Sequence, residues 1–186
     1  MDAILAFARK RPSRLKVFFE DEATVQLTPT LCGQWALKGI QPLIPSLARM
    51  NQKIHLFGAI NAVSGKAHHR KAPTISSLYF IRFAAHLLNQ YPRGRVILIL
   101  DNAVWHKSCS FKLFQKKYPR LILFFLPPYS PDMNPAESLW KNLRREVTHN
   151  YFFEKLSLLG KAITLFFAKK QSRTAHKQLK AWCNIC

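Results

Sequence analysis
Acidic residues are scarce in this chain: 9 Asp and Glu stand against 29 Lys and Arg, a formal net charge of +20. So large an excess exceeds what solubility needs and implies a polyanionic partner. Nucleic acid is favoured over a membrane surface, because the basic residues spread from Arg9 to Lys180 instead of lining one helix beside an anchor. Long apolar runs are missing too. None approaches the roughly 20 residues that span a bilayer, and the first 14 residues hold too short an apolar stretch for a signal peptide. The expectation is a cytoplasmic, nucleoid-associated protein with no membrane partner. Paired cysteines are few: Cys183 and Cys186 form half a zinc motif, Cys32 and Cys109 are isolated, and free thiols fit the compartment. The 7 histidines include no HExxH helix, so zinc hydrolase chemistry has no support. Neither an internal repeat nor a low-complexity segment is present.

What is there suffices for one domain: 186 residues, 48% of them hydrophobic, can bury a real core. Residues 1–14, basic at their end and containing Pro12, read as a short lead or arm. Leu15 to Phe19 is rich in β-formers and closes on Glu20, Asp21 and Glu22, after which Val25 and Leu27 alternate as in a half-buried strand. Trp35 to Gly39 and Ile54 to Val63 read as further strands of a three-strand meander, with Ser64-Gly65 a turn before the basic KAHHRK. From Thr74 the period becomes helical, with Phe80, Phe83, Ala84, Leu87, Leu88 and Tyr91 on one face. The pentad Val96 to Leu100 is the signature of a strand covered on both faces, and it stops at Asp101. A helix over 108–118, a strand over 121–126 and two more helical stretches follow. The order predicts an α/β fold with a mixed central sheet and helices on both faces, whose ligands gather outside the strand ends.

The stretch LILFFLPPYSPDMNPAESLW, Leu121 to Trp140, carries the most information. Asn134 is a favoured N-cap, Pro135 suits the first helical position, and Glu137 then falls at the third, where a capping box would also use it. Asp21, Asp101 and Glu137 are thus three of nine acids placed at strand ends or a helix start. Oxygen ligands without a His or Cys cluster suit hard cations, Mg²⁺ with Mn²⁺ as substitute. Two such ions stabilise the attacking and leaving oxygens of a displacement at phosphorus.

The segments FFEDEATVQL, GQWALKG, LFGAINAVSGK, VILILDNAVWHKS, LPPYSPDMNPAESLW and THNYFF, in order from about residue 15 to about residue 155, resemble the catalytic domain of DDE transposases. The likeness is to the bacterial insertion-sequence branch of the Tc/mariner superfamily. Positions 102 to 136, 35 residues, separate Asp101 from Glu137, close to that family's habitual spacing. The resemblance implies an RNase H-like fold in which Asp21, Asp101 and Glu137 bind the metals, and an enzyme that cleaves and transfers double-stranded DNA at transposon ends, usually into TA dinucleotides. Its partners are then transposon ends and target DNA, and handling two ends implies an oligomer, a homodimer being the simplest. The family usually carries helix-turn-helix modules ahead of this domain. Only 20 residues precede Asp21 here, so the chain is expected to be one product of a split reading frame or a truncated remnant. A catalytically inactive remnant that acts only as a basic DNA-binding protein is the alternative.

The neighbouring residues divide between roles. Glu22 adjoins Asp21, and the residues alone do not choose between them; the resemblance favours Asp21. Asp132 suits a turn that bonds its own backbone. Asn102 and His106 could orient a water or phosphate, or could be structural, and neither is counted as catalytic. Lys141, Arg144 and Arg145 are candidate DNA-phosphate contacts, against a surface pair of Lys141 with Glu137. The clusters Arg9 to Lys16 and Lys66 to Lys71 are further candidates. The domain division expected is a basic lead over 1–14, an RNase H-like catalytic domain over 15–150, and a basic helical extension over 151–186.

Overall fold
Alternating apolar residues beyond Ser13 build the longest strand, β1 (Leu15–Gln26). In the computed structural model, which describes residues 2–46, 51–128 and 134–170, β1 is the middle of a five-stranded mixed sheet. The other strands are β2 (Lys53–Asn61), β3 (Ala67–Ala72), β4 (Arg95–Leu100) and β5 (Leu121–Phe125), in spatial order β3-β2-β1-β4-β5. β1, β2 and β3 pair antiparallel, whereas β4 joins β1, and β5 joins β4, in parallel. The helices are α1 (Asp2–Lys10), α2 (Ser77–Gln90), α3 (Cys109–Lys117), α4 (Ala136–Leu143) and α5 (Leu156–Lys170). A 3₁₀ turn, Val104–Lys107, precedes α3, and a π-helical turn, Arg144–Thr148, continues α4.

The period of two along each strand sorts the side chains between two layers. Phe18, Phe57, Val96, Leu98 and Leu100 face α2 and α3, where they meet Phe80, Phe83, Leu87 and Phe111. Each of these rings is fully buried and contributes about 1.5–3 kcal/mol. Val17, Phe19, Ile97 and Ile99 face the other side, under Ala8 of α1. Further along that side, Ala23, Val25 and Leu56 pack with Trp140 and Leu143 of α4 and with Ile163 and Phe167 of α5. The α/β fold with a mixed sheet and helices on both faces is therefore as the residues predict.

Three local expectations are corrected. Trp35 to Gly39 is not a strand: it lies in the long β1–β2 connection, with Trp35 fully exposed, and its alternating pattern has no sheet edge to pair with. The third meander strand is instead β3, formed by the basic AHHRKA, whose His68 is buried against Phe18 and Tyr91. The lead is not a bare arm, since Ile4, Leu5 and Ala8 of α1 dock on the sheet. The positions of Asp132, Cys183 and Cys186 lie outside the described residues. No helix among the described residues is long and apolar enough to cross a membrane.

Candidate active site
β1 outruns its parallel partner. The last pair of the β1–β4 ladder is Phe19 with Ile99, so Asp21 and Asp101 each stand two residues beyond it. Asp21 is accordingly in the body of β1, opposite Gly58 of β2, at the level where β4 has already ended. Alternation then sends successive acids of β1 to opposite layers: Asp21 towards α4, Glu20 and Glu22 towards α2 and the 3₁₀ turn.

On the α4 side, Trp140 Nε1 donates to Asp21 Oδ2 at 3.1 Å. Burial, reinforced by the charges of Glu22 and Asp101, pushes the Asp21 carboxyl up to about 7, although its hydrogen bonds oppose the shift. Asp101 is half exposed and accepts from the Ala103 N–H at 2.9 Å. His106 Nδ1 lies 3.3 Å from Asp101 Oδ1, and that bond holds the carboxyl below its usual range. Glu137 is in the first turn of α4, partly exposed, with its Oε2 3.8 Å from Lys141 Nζ. The cap position is Pro135, not Asn134 as expected, which makes Glu137 the second helical residue; Asn134 braces the turn from outside, its Oδ1 accepting from the Ala136 N–H at 3.1 Å while its Nδ2 donates to the Glu20 carbonyl at 3.0 Å. The helix proper begins one residue later than Pro135.

The opposite layer holds a second group that the residue pattern does not disclose. Glu22 Oε1 accepts from Trp105 Nε1 at 2.7 Å and lies 3.1 Å from His106 Nε2. Glu20 is fully buried, neither of its carboxylate oxygens has a hydrogen-bond partner, and His106 Nε2 is 3.7 Å from Oε2. Burial and the charges of Glu22, Asp21 and Asp101 raise the Glu20 carboxyl well above the carboxylate range. Burial alone would lower the His106 imidazole; its bonds to Asp101 and Glu22 and their charges carry it up to about 9. Both ring nitrogens face carboxylate oxygens, as in a doubly protonated ring.

Among the described residues, Glu20, Glu22 and His106 are a group whose ligand atoms lie within 4.8 Å of one another, close enough to hold a divalent metal once His106 gives up a ring proton. Asp21, Asp101 and Glu137 are not drawn as close. Register brings the first two side by side, and the Trp140 bond brings α4, with Glu137 one turn before the indole, over Asp21. Their donors are all oxygen, all three reach solvent to some degree, and no cationic side chain among the described residues lowers the Asp21 carboxyl. A divalent cation supplies the positive charge, so the residues fit one.

Lys141, Arg144 and Arg145 are exposed along α4 and the turn that follows it, with Arg145 Nη2 bonded to Asn142 Oδ1 at 2.8 Å. Lys66, Arg70 and Lys71 are exposed, although Lys71 Nζ also donates to the Gly160 carbonyl. Arg9, Lys10, Arg11 and Arg14 are exposed as well. Asn102 is committed to the scaffold, its Nδ2 donating to the Leu126 carbonyl at 2.7 Å while its Oδ1 accepts from Lys107. Glu20 and Trp140 are not among the candidate site residues read from the sequence, although Trp140 closes the motif stretch and Glu20 opens the acidic run of β1. The one available signal for Trp140 is its offset of three from Glu137, which puts both on neighbouring positions of a helix.

The sequence pattern of the DDE superfamily endonuclease family matches residues 16–159. An insertion element IS630 uncharacterized 39 kDa protein of Shigella sonnei is 32% identical over 151 residues, 81% of this chain and 44% of that protein. The uncharacterized protein y4pE/y4sA of Sinorhizobium fredii is 30% identical over 101 residues, 54% of this chain and 72% of that protein. The fold is shared with the Mos1 transposase in its paired-end complex with the left transposon end, with a TM-score of 0.65 at 18% identity over 96% of this chain. It is shared also with the catalytic core domain of BIV integrase, with a TM-score of 0.51 at 14% identity over 82% of this chain. The chain spans 44% of the Shigella protein and 56% of the Mos1 chain.

Proposed function
The chain belongs to the DDE superfamily endonuclease family, and from that premise we propose that it is a transposase catalytic domain that cleaves and transfers DNA strands at transposon ends. The observation that carries the reading is the register of β1 against β4, which sets Asp21 beside Asp101, together with the Trp140–Asp21 bond that joins α4 to the same spot. Asp21, Asp101 and Glu137 are the proposed ligands of Mg²⁺, with Mn²⁺ as substitute. Held there, such cations would supply activation of a water or DNA 3′-hydroxyl and stabilisation of the leaving oxygen.

The chain's own residues do the rest. Half-exposed Asp101 and partly exposed Glu137 open the site to a phosphodiester, while Asp21 anchors it from the body of β1. His106 fixes Asp101 in place from behind. Lys141, Arg144 and Arg145 neutralise phosphates flanking the cut, consistent with a net charge of +20. Double-stranded DNA, as transposon ends and as target, is the proposed partner. Two ends handled at once call for two copies of the chain, a homodimer, working on DNA in the cytoplasm at the nucleoid.

The test is strand cleavage of a duplex carrying the element's end. Nicking should appear with Mg²⁺ or Mn²⁺ and vanish on chelation while DNA stays bound. Binding without any cation-dependent nicking by the wild type would support an inactive, purely DNA-binding remnant instead. The phosphate role has its own measurement, the slope of log K against log salt for duplex DNA. Replacing Lys141, Arg144 and Arg145 together by alanine should flatten that slope by about 2 to 3, at roughly 0.9 for each phosphate no longer neutralised. An unchanged slope would remove these three residues from the interface.

A further inference from the structure
Trp140 has no part in holding a cation, yet it occupies a place where two sequence-distant halves of the proposed site touch. Its indole is 3% exposed, edge-on to Phe167 of α5 at 6.3 Å between ring centroids, and its Nε1–H ends on Asp21 Oδ2. The space it fills is made by β2. Gly58 is the ladder partner of Asp21, and a Cβ added at Gly58 would clash with Cη2 and Cζ2 of the indole. An ordinary side chain there would push the ring off the sheet. A second tie lies six residues earlier, just ahead of α4, where Asn134 donates to the carbonyl of Glu20, the residue before Asp21. Consecutive residues of β1 thus grip α4 before and after Glu137.

From this arrangement we infer that Trp140 is a positioning residue that sets the Asp21 carboxylate and the register of α4, and with it Glu137, for cation binding. The inference rests on the reading of Asp21 and Glu137 as cation ligands. The indole donor fixes which Asp21 oxygen is engaged on the helix side. A hydrogen bond from a neighbour to a ligating carboxylate orients it, and losing one such partner weakens metal affinity by about 10- to 100-fold. Gly58 belongs to the same device, since the absence of a Cβ is what lets the ring lie against the strand.

The experiment is Mn²⁺ titration of the full chain without DNA, read by calorimetry and by the spin-resonance signal of free Mn²⁺. Trp140→Phe keeps a ring in the pocket and removes the N–H; it should weaken Mn²⁺ binding about 10-fold or more and leave duplex DNA affinity as in the wild type. Gly58→Ala, which displaces the ring without altering it, should weaken Mn²⁺ binding in the same direction. In an Asp21→Ala background, Trp140→Phe should cost nothing further, because its effect passes through Asp21. Wild-type affinity in Trp140→Phe, or an equal loss with and without Asp21, would overturn the inference. The Trp140 indole N–H resonance separates this from failure of the functional reading. In the metal-free wild type it should exchange slowly, and it should shift in Asp21→Ala. A signal indifferent to Asp21 overturns the tie itself, whereas wild type with the tie but without Mn²⁺ binding or nicking overturns the proposed function and the role in cation binding together.

Discussion

Asp101→Ala is expected to lower Mg²⁺-dependent nicking by about 1,000-fold or more while the protein stays folded, because the scale for removing one electrostatic stabiliser of a transition state is already 10²–10³. The side chain is half exposed, and its structural work is one bond to the Ala103 N–H and the contact with His106. Losing them costs about 1–2 kcal/mol of stability, a minor fraction of what holds a chain of this size together. DNA affinity should be unchanged or slightly higher, since the substitution removes a negative charge from a surface that meets phosphates. A nicking assay, a melting curve and a binding isotherm on the same preparation decide the matter. Nicking that survives at wild-type rate in Asp101→Ala would remove this residue from the metal site and turn attention to Glu20, Glu22 and His106, whose atoms are the closer-set group.

His106→Ala should act through stability instead. The ring is 1% exposed and stands between Glu22 and Asp101, with Glu20 at 3.7 Å. Its removal leaves buried carboxylates without their cation, and breaking a buried pair from one side costs about 3–5 kcal/mol. At about 2–4 °C per kcal/mol for a domain of this size, the melting temperature should fall by roughly 10 °C. The pH dependence gives a second readout with a definite sign. His106 titrates at about 9 in the fold against 6.5 for the free side chain, so the folded state holds the proton more tightly. The stability this confers is complete below pH 6.5 and is lost as pH rises through about 9, about 3 kcal/mol in all. Wild-type stability should decline over that interval, and the decline should be shallower in His106→Ala. Equal alkaline limbs in the two proteins would mean that another group carries the titration.

Much of the architecture was legible because single segments carried their own evidence. The pentad Val96 to Leu100 is apolar on every residue, which only a strand covered on both faces requires, and all five are buried in β4. Phe80, Phe83, Ala84, Leu87 and Leu88 recur at helical spacing and are the buried face of α2. The β1–β2 connection and β3 were misread for a shared reason. Alternation in Trp35 to Gly39 looks like a strand but finds no neighbour, whereas AHHRKA is polar yet lies on a sheet edge whose inner face His68 helps to fill. Pairing partners, not local composition, separate the two.

The site divides along similar lines. Asp101 and Glu137 stand at an abrupt strand end and in the first turn of a helix, features visible in one dimension. The role of His106 was not visible, because Glu22 lies 84 positions away and meets it only across the closed sheet. The opposite facing of Asp21 and Glu22 follows from alternation alone, but which face would carry α4 required Trp140 and Gly58 in place. Sequence spacing supplies the candidates, and long-range contact assigns them.

The parallel pairing of β1 with β4 also governs when this chain becomes competent. Val17 waits for Ile97, and Asp21 waits for Trp140, so the contacts that join the halves of the site are long-range. A ribosome making the protein exposes the acids of β1 long before the strand and helix that cover them exist. Until then one edge of β1 is unpaired, open to proteases and to other nascent chains. Prematurely terminated products that end before α4 should therefore be short-lived and incapable of cutting DNA, so the fold's high contact order confines any cutting activity to chains that extend through α4.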